Sequence, residues 1–344
     1  MYWMHDIEVL AGGKKFVNNG DNALEIDFDV SFNDKKEPDV STVTIYNLSD
    51  GTINDIKKEG YLILNAGYRE LGNKANILTA QIEDVETTWQ GLDKVSKITA
   101  SDGGKSWRKK EFKKTYKDGT KASTILKDLA EALSYEVVEI KPKNDITYRL
   151  GKTVKGSASK SLSKIVDDTE SKMFINKNRI VIREQKKGYS TGFVLKAETG
   201  LVGIPTLNKD DSGDKNEDIA KEKEKKKNKE TKKTWNVVSL LNPKIETDSI
   251  IRIESKAVNG TFRVISGKHT KDFNTELEVE ELWESKQIRM QISFFTICVR
   301  VFLMRLMFVR LGRLLSFILR LWKLMLCLCL LKTMKWLLMF LLQR

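Results

Sequence analysis

The sequence predicts an α+β protein dominated by β-structure, with two small antiparallel, barrel-like β domains and a small α+β domain between them. Three observations carry this reading. Short runs alternate apolar and polar residues, punctuated by turn residues, through the first hundred positions. Apolar residues then recur at helical spacing between Ala122 and Ser171, and the β pattern returns from Gly192 to Leu282. The expected divisions are an N-terminal β domain at 1–114, an α+β domain at 115–187 and a C-terminal β domain at 188–285. Within the last, 209–233 is a charged flexible insertion, and 286–344 forms a basic, hydrophobic tail of different character.

Leu24, Ile26, Phe28, Val30 and Phe32 alternate strictly with Glu25, Asp27, Asp29 and Ser31, which is the period of a half-buried strand. Val43–Tyr46, Tyr61–Tyr68, Ile77–Val85 and Lys94–Ser101 continue the pattern. Asn47, Ser49, Asp50, Gly51, Gly72 and Gly91 supply the breaks, and strands at this spacing suggest a small barrel or sandwich ending near Lys110.

The period then changes. Ala122, Ile125, Leu126, Leu129, Ala132 and Leu133 make a helical stripe with Thr120 as its expected N-cap. A second helix is expected from about Ser157 to Ser171, with Leu162, Ile165 and Val166 inward and Asp167 and Asp168 outward. Met173–Ile182 reads as a hairpin turning at Asn176-Lys-Asn178. Further on, Pro243 ends an apolar strand, Ile250, Ile251 and Ile253 rebuild one, and Asn259-Gly260 signals a two-residue hairpin. Phe262, Val264 and Ile265 form the returning strand, His269 opens a loop to Asp272, and Leu277 and Val279 mark the last strand. Lys209–Lys233 carries ten Lys against eight Asp/Glu with one large aliphatic, Ile219, so it is expected as a solvated, disordered excursion rather than a nucleic-acid arm.

Composition excludes several functions. Residues 1–285 hold 49 Lys/Arg against 47 Asp/Glu, a net charge of +2, which removes the case for a polyanion-binding protein suggested by the whole-chain charge of +13. That stretch has no cysteine and only His5 and His269, leaving little for a thiolate or imidazole metal site or a catalytic triad. Met1–Asn22 lacks a continuous apolar core and a cleavage site, so synthesis without Sec export is expected.

His269 with Asp272 has the makings of a proton-transfer pair, but no nucleophile or oxyanion loop accompanies it, and the histidine is expected to cap a hairpin end. Glu83, Asp84 and Glu86 do not form paired carboxylates, because only Asp84 and Glu86 share a strand face. Asp102-Gly-Gly-Lys-Ser106 fails the phosphate-loop spacing and is expected as a tight turn before a packed Trp107. Trp89, Trp107, Trp235 and Trp283 are expected as core or interface anchors. The sequence thus predicts no catalytic, cofactor-binding or metal-ligating residue, and no cofactor.

The last 59 residues differ in composition from the rest of the chain. From Lys286 to Arg344 there is no Asp, Glu, Asn, Ala, Pro or Tyr, and Arg leads Lys by 7 to 4, whereas Lys leads by 42 to 7 before. All three cysteines, Cys298, Cys327 and Cys329, lie here. The longest uncharged run, Met290–Val299, is ten residues, too short for a membrane span. A surface-lying amphipathic helix suits Leu/Phe/Met with Arg better, but the charges spread too widely around it. We read 286–344 as translated out of frame and assign it no function.

Five stretches carry a family resemblance: Ser41-Thr-Val-Thr-Ile-Tyr-Asn-Leu-Ser49, Ser101-Asp-Gly-Gly-Lys-Ser-Trp107, Thr115-Tyr-Lys-Asp-Gly-Thr-Lys-Ala-Ser123, Gly192–Gly203 and Leu240–His269. In order and spacing the chain resembles baseplate hub proteins of phages and prophages of Gram-positive hosts, within the late-control tail proteins related to the hubs of contractile injection machines. The family often carries Pro or Gly near Asp248-Ser249, where this chain has neither, and its members end only slightly beyond the position of Leu282. The resemblance implies a structural, non-enzymatic virion component. It would form a homotrimer that joins the tail tube protein to the spike and other baseplate proteins around a passage for DNA, without sequence-specific nucleic-acid binding. A tail-associated cell-wall hydrolase and a membrane-associated protein using 286–344 are the rival readings.

Overall fold

The computed structural model describes residues 4–57, 60–184, 188–208 and 233–282. Most of the charged insertion and the whole of 286–344 lie outside the described residues, as does Trp283. The fold is β-dominated α+β, as the periodicities require.

The N-terminal part contains β1 (His5–Ala11), β2 (Lys14–Val17), β3 (Ile26–Asn33), β4 (Val40–Tyr46), α1 (Asp50–Ile56), β5 (Tyr61–Tyr68), β6 (Ala75–Gln90), β7 (Asp93–Ser101) and α2 (Gly104–Lys109). The alternation in β3 does what its period dictates: Ile26, Phe28, Val30 and Phe32 are buried while Asp27, Asp29 and Ser31 face outward. Val9, Val43, Ile45, Leu62, Leu64, Ala80 and Ile98 fill the core behind them. α1 forms where the sequence suggests only a break. Ser49 caps it, its hydroxyl accepting from the Thr52 amide at 3.3 Å, and Ile53 and Ile56 enter the core. α2 likewise replaces the expected tight turn at Gly104, leaving Trp107 half-buried and edge-on to Tyr135 at 6.2 Å.

The central part runs β8 (Glu111–Tyr116), β9 (Thr120–Lys121), α3 (Ala122–Ala132), β10 (Glu136–Lys141), β11 (Thr147–Tyr148), β12 (Lys152–Ser157), α4 (Ala158–Asp168), β13 (Lys172–Asn176) and β14 (Arg179–Arg183). α3 and α4 bury Ile125, Leu126, Leu129, Leu162, Ile165 and Val166 against the three-stranded sheet β10-β14-β13. Thr120 is not the cap of α3. It lies in β9, its hydroxyl donates to the Lys117 carbonyl at 2.7 Å, and the carboxylate of Asp145 takes the Ser123 amide at 2.9 Å instead. The α4 cap is Ser157, one residue before the helix. The β13–β14 turn places Lys177 and Asn178 at φ +54° and +60°, the left-handed pair of a two-residue hairpin.

The C-terminal part contains β15 (Tyr189–Leu195), β16 (Leu201–Leu207), β17 (Thr234–Leu240), β18 (Ser249–Glu254), β19 (Asn259–Thr270) and β20 (Asn274–Glu281). Ile251, Ile253, Phe262, Val264, Leu277 and Val279 are its core. Two local expectations fail here. Glu254 pairs with Asn259, so the hairpin turns through Ser255–Val258, held by the Ser255 hydroxyl donating to the Val258 carbonyl at 2.9 Å, and Asn259-Gly260 begin the next strand. His269 is not in a loop either: it is a strand residue, 2 % exposed, because β19 runs on to Thr270.

That extension joins the parts. β19 pairs with β18 through Asn259–Arg263 and with β3 through Ser266–Thr270, while β20 lies along its other edge. The two sets of β-strands therefore share one 13-stranded sheet. Side chains cross the seam as well. Phe32 packs into the C-terminal core, Leu241 and Phe273 pack into the N-terminal one, and the Tyr68 hydroxyl donates to the Phe273 carbonyl at 3.1 Å.

Candidate functional site

Strand register builds a continuous polar face across the seam. One cross-strand row runs Asp27, Thr44, Lys97, Glu86; the next runs Asp29, Thr42, Thr99, Asp84. Beyond the seam, Ser31 lies opposite Lys268, and Lys268 opposite Glu276. Lys268 bonds Asp29 at 2.7 Å and the Tyr46 hydroxyl donates to Asp27 at 3.2 Å. Carboxylates and threonines dominate this face, and its few lysines sit directly against carboxylates. A surface of that kind repels a polyanion and provides no stacking platform for bases.

Under the seam is a buried ionic junction. Asp248 is fully buried, at φ +68°, with its carboxylate facing three cations: Lys172 from β13, Arg183 from β14 and Arg263 from β19. Arg183 Nε donates to Asp248 at 3.1 Å. Arg263 is also bound by Glu280 at 2.6 Å and Asp34 at 3.0 Å, and Arg183 stacks on the Tyr189 ring at 3.8 Å from its centroid. Burial is the first cause that lowers the Lys172 ammonium, to about 8, opposed by the Asp248 charge. Here the chain departs from the Pro or Gly that the resemblance leads one to expect: the left-handed turn is occupied by an aspartate whose side chain holds the junction together.

A second polar cluster meets the β13–β14 turn. The Lys177 amide donates to Asp102 at 3.2 Å, and its ammonium donates to the Asn76 carbonyl at 2.6 Å and pairs with Glu246. Asp102 is buried, and burial followed by the nearby Asp39 charge pushes its carboxyl up to about 8; burial pushes Asp39 to about 6.

The residues singled out in the sequence scatter. His269 donates or accepts at Thr275 Oγ1, 2.9 Å away, while Asp272 is exposed. Burial, then the Lys177 charge, lowers the imidazole to about 3, so it stays neutral. Glu83 pairs with Arg108 at 2.8 Å, whereas Asp84 and Glu86 join the polar face. Trp235 is partly buried on the C-terminal core, but Trp89 is 68 % exposed and anchors no core. Lys172, Arg183 and Arg263 escaped sequence reasoning, and Asp248 stood out only as a position without the expected Pro or Gly. Their one signal is a charge beside apolar strand residues, as in Lys172-Met-Phe-Ile, Ile180-Val-Ile-Arg and Phe262-Arg-Val.

A model of the family described as Baseplate hub gp41 matches residues 3–255. The fold is similar to that of the tail protein from Neisseria meningitidis MC58, at 10 % identity, with 82 % of this chain and 98 % of that one covered and a TM-score of 0.55. It is also similar to the 43 kDa tail protein of prophage MuSo2 from Shewanella oneidensis, at 9 % identity, with 80 % and 98 % covered and a TM-score of 0.55. A comparison with curated proteins finds no match.

Proposed function

Since the chain belongs to the baseplate hub gp41 family, a structural component of the virion tail baseplate, we propose that it acts as a homotrimeric joint between the tail tube and the spike. It has no enzymatic role in this reading. The observation that carries it is the β3–β19 seam, which makes two sets of strands into one sheet with one outward polar face. Three copies of such a paired unit present six similar surfaces, which is what a sixfold tube meeting a threefold spike requires. The acidic face is the surface suited to line a passage, because DNA slides past carboxylates without being held. Among the described residues no helix is long and apolar enough to cross a membrane.

The test is the copy number of the chain in purified tails, measured by quantitative mass spectrometry against the tube protein. Three copies per particle at the spike-proximal end are expected; six, or a single copy, would overturn the trimeric joint. A zymogram on cell walls should show no lytic band at the mass of this chain.

A further inference from the structure

Two Asn-Gly pairs occur in the chain, Asn19-Gly20 and Asn259-Gly260, and the fold treats them in opposite ways. Glycine has no Cβ, so its amide nitrogen reaches the side chain of a preceding asparagine with little steric hindrance. Attack of that nitrogen on the side-chain carbonyl carbon closes a succinimide ring, provided the backbone between the two residues is free to turn.

Asn259-Gly260 lacks that freedom. Both residues lie in β19, Asn259 opposite Glu254 and Gly260 opposite Ile253. The Asn259 side-chain oxygen accepts from the Ser255 amide at 2.9 Å, which ties the side chain across the hairpin turn. Ring closure there must wait for the end of the hairpin to open.

Asn19-Gly20 lies in the turn between β2 and β3. Gly20 is exposed, at φ +85°, and a Cβ on it would meet nothing within 4 Å, so open space lies beside the peptide. Asn19 is half-buried, and its Nδ2 group donates to Asp6 Oδ1 at 3.0 Å and to Asn18 Oδ1 at 3.3 Å. Both bonds engage the nitrogen that would leave, not the carbon that would be attacked.

We propose that Asn19 is a site of spontaneous deamidation, with water as the co-reactant, and that the β18–β19 hairpin protects Asn259 from the same reaction. The Gly20 amide nitrogen bonds to Asn19 Cγ, the Cγ–Nδ2 bond breaks, and the amide proton leaves with Nδ2 as ammonia. Water then opens the succinimide at either carbonyl, giving aspartate or isoaspartate at position 19, with no change of oxidation state. The new carboxylate has no proton to offer Asp6 and stands against its charge, which Lys74, 3.2 Å from Asp6, offsets only in part. Deamidation thereby loosens the contact between this turn and β1.

The test incubates the purified full chain at mildly alkaline pH, natively and in urea, and follows both Asn-Gly peptides by proteolysis and mass spectrometry. In the native chain the Asn19 peptide should gain the mass of the acid and split into aspartyl and isoaspartyl forms. The Asn259 peptide should react at least about tenfold more slowly, because opening of the hairpin precedes ring closure. In urea that gap should close as Asn259 accelerates. N19D, which makes the aspartyl product directly, should lower the thermal unfolding midpoint. An unreacted Asn19 in the native chain, equal native rates, or a gap that survives in urea would overturn the proposal; an N19D midpoint equal to wild type would overturn the loosened contact.

Discussion

Lys172 and Asp248 lie 76 residues apart in the chain and in contact in the fold, the lysine 8 % exposed and the aspartate fully buried. The contact ties the β13–β14 sheet to the turn that opens β18. Removing the anion leaves Lys172, Arg183 and Arg263 facing one another without their common partner. Asp248→Asn keeps the left-handed turn, which Asn tolerates, and so isolates the charge. It is expected to lower stability by about 3–5 kcal/mol, the cost of breaking a buried ion pair by removing one partner. Urea unfolding of the variant against wild type measures it; a loss under about 1 kcal/mol would show that the junction is not a source of stability.

Asp102 predicts a pH dependence of definite sign. Its carboxyl is raised from 3.8 to about 8 by burial first and by Asp39 second. The folded state therefore binds this proton more tightly than the unfolded chain. Its contribution is greatest below the unfolded value, falls as pH rises, and is lost by about pH 8. The slope in between approaches about 1.4 kcal/mol per pH unit for one proton. Asp102→Asn should flatten that part of the stability–pH profile and be at least as stable as wild type at pH 9. Paired denaturation curves from pH 5 to 9 give the difference; parallel profiles would rule out Asp102 as the titrating group.

Two glycines separate packing from backbone freedom. A Cβ on Gly103 would lie 2.3 Å from Pro38 Cγ and 2.7 Å from Tyr135 Oη, so Gly103→Ala should cost about 1–3 kcal/mol as an overpacked site. Gly51, in α1, has nothing within 4 Å of the same position, and Gly51→Ala should gain about 0.5–1 kcal/mol from helix propensity. Thermal unfolding of the two variants should move in opposite directions.

The caps give a similar contrast. Ser157→Ala removes an oxygen that accepts from the Lys160 amide and should cost about 0.5–1 kcal/mol. Thr120→Ala should change stability by less than about 0.5 kcal/mol, since Thr120 caps no helix and its one described hydroxyl bond is in an exposed turn. Equal losses would restore Thr120 as the cap of α3.

The legibility of the fold tracks the range of the forces involved. The alternation of β3 and the apolar stripe of α3 are local, and they specify burial with no knowledge of the partner. The turn at Lys177-Asn178 is local too, and it forms where the residue types indicate. Asn259-Gly260 misleads because β18 ends one turn earlier, at Glu254, and the Ser255 hydroxyl closes the loop. His269 looks like a loop residue only until β3 offers it a strand to pair with, a tertiary event no window around residue 269 contains. The junction was illegible for the same reason: Lys172, Arg183, Asp248 and Arg263 are unremarkable singly and acquire meaning from one another. The family resemblance supplied what local patterning could not, the role of the whole.

Strand β19 has one more consequence, in time rather than in space. As the chain leaves the ribosome, β3 emerges early, yet its outer neighbour is not made until more than two hundred residues later. At about 5–20 residues per second the interval is roughly ten to fifty seconds. Throughout it, one edge of the N-terminal sheet stands open with Phe28, Val30 and Phe32 beside it, the kind of edge that recruits other strands. Conditions that slow translation or deplete chaperones before the β19–β20 hairpin is made are therefore expected to reduce soluble yield before they touch the stability of the finished molecule.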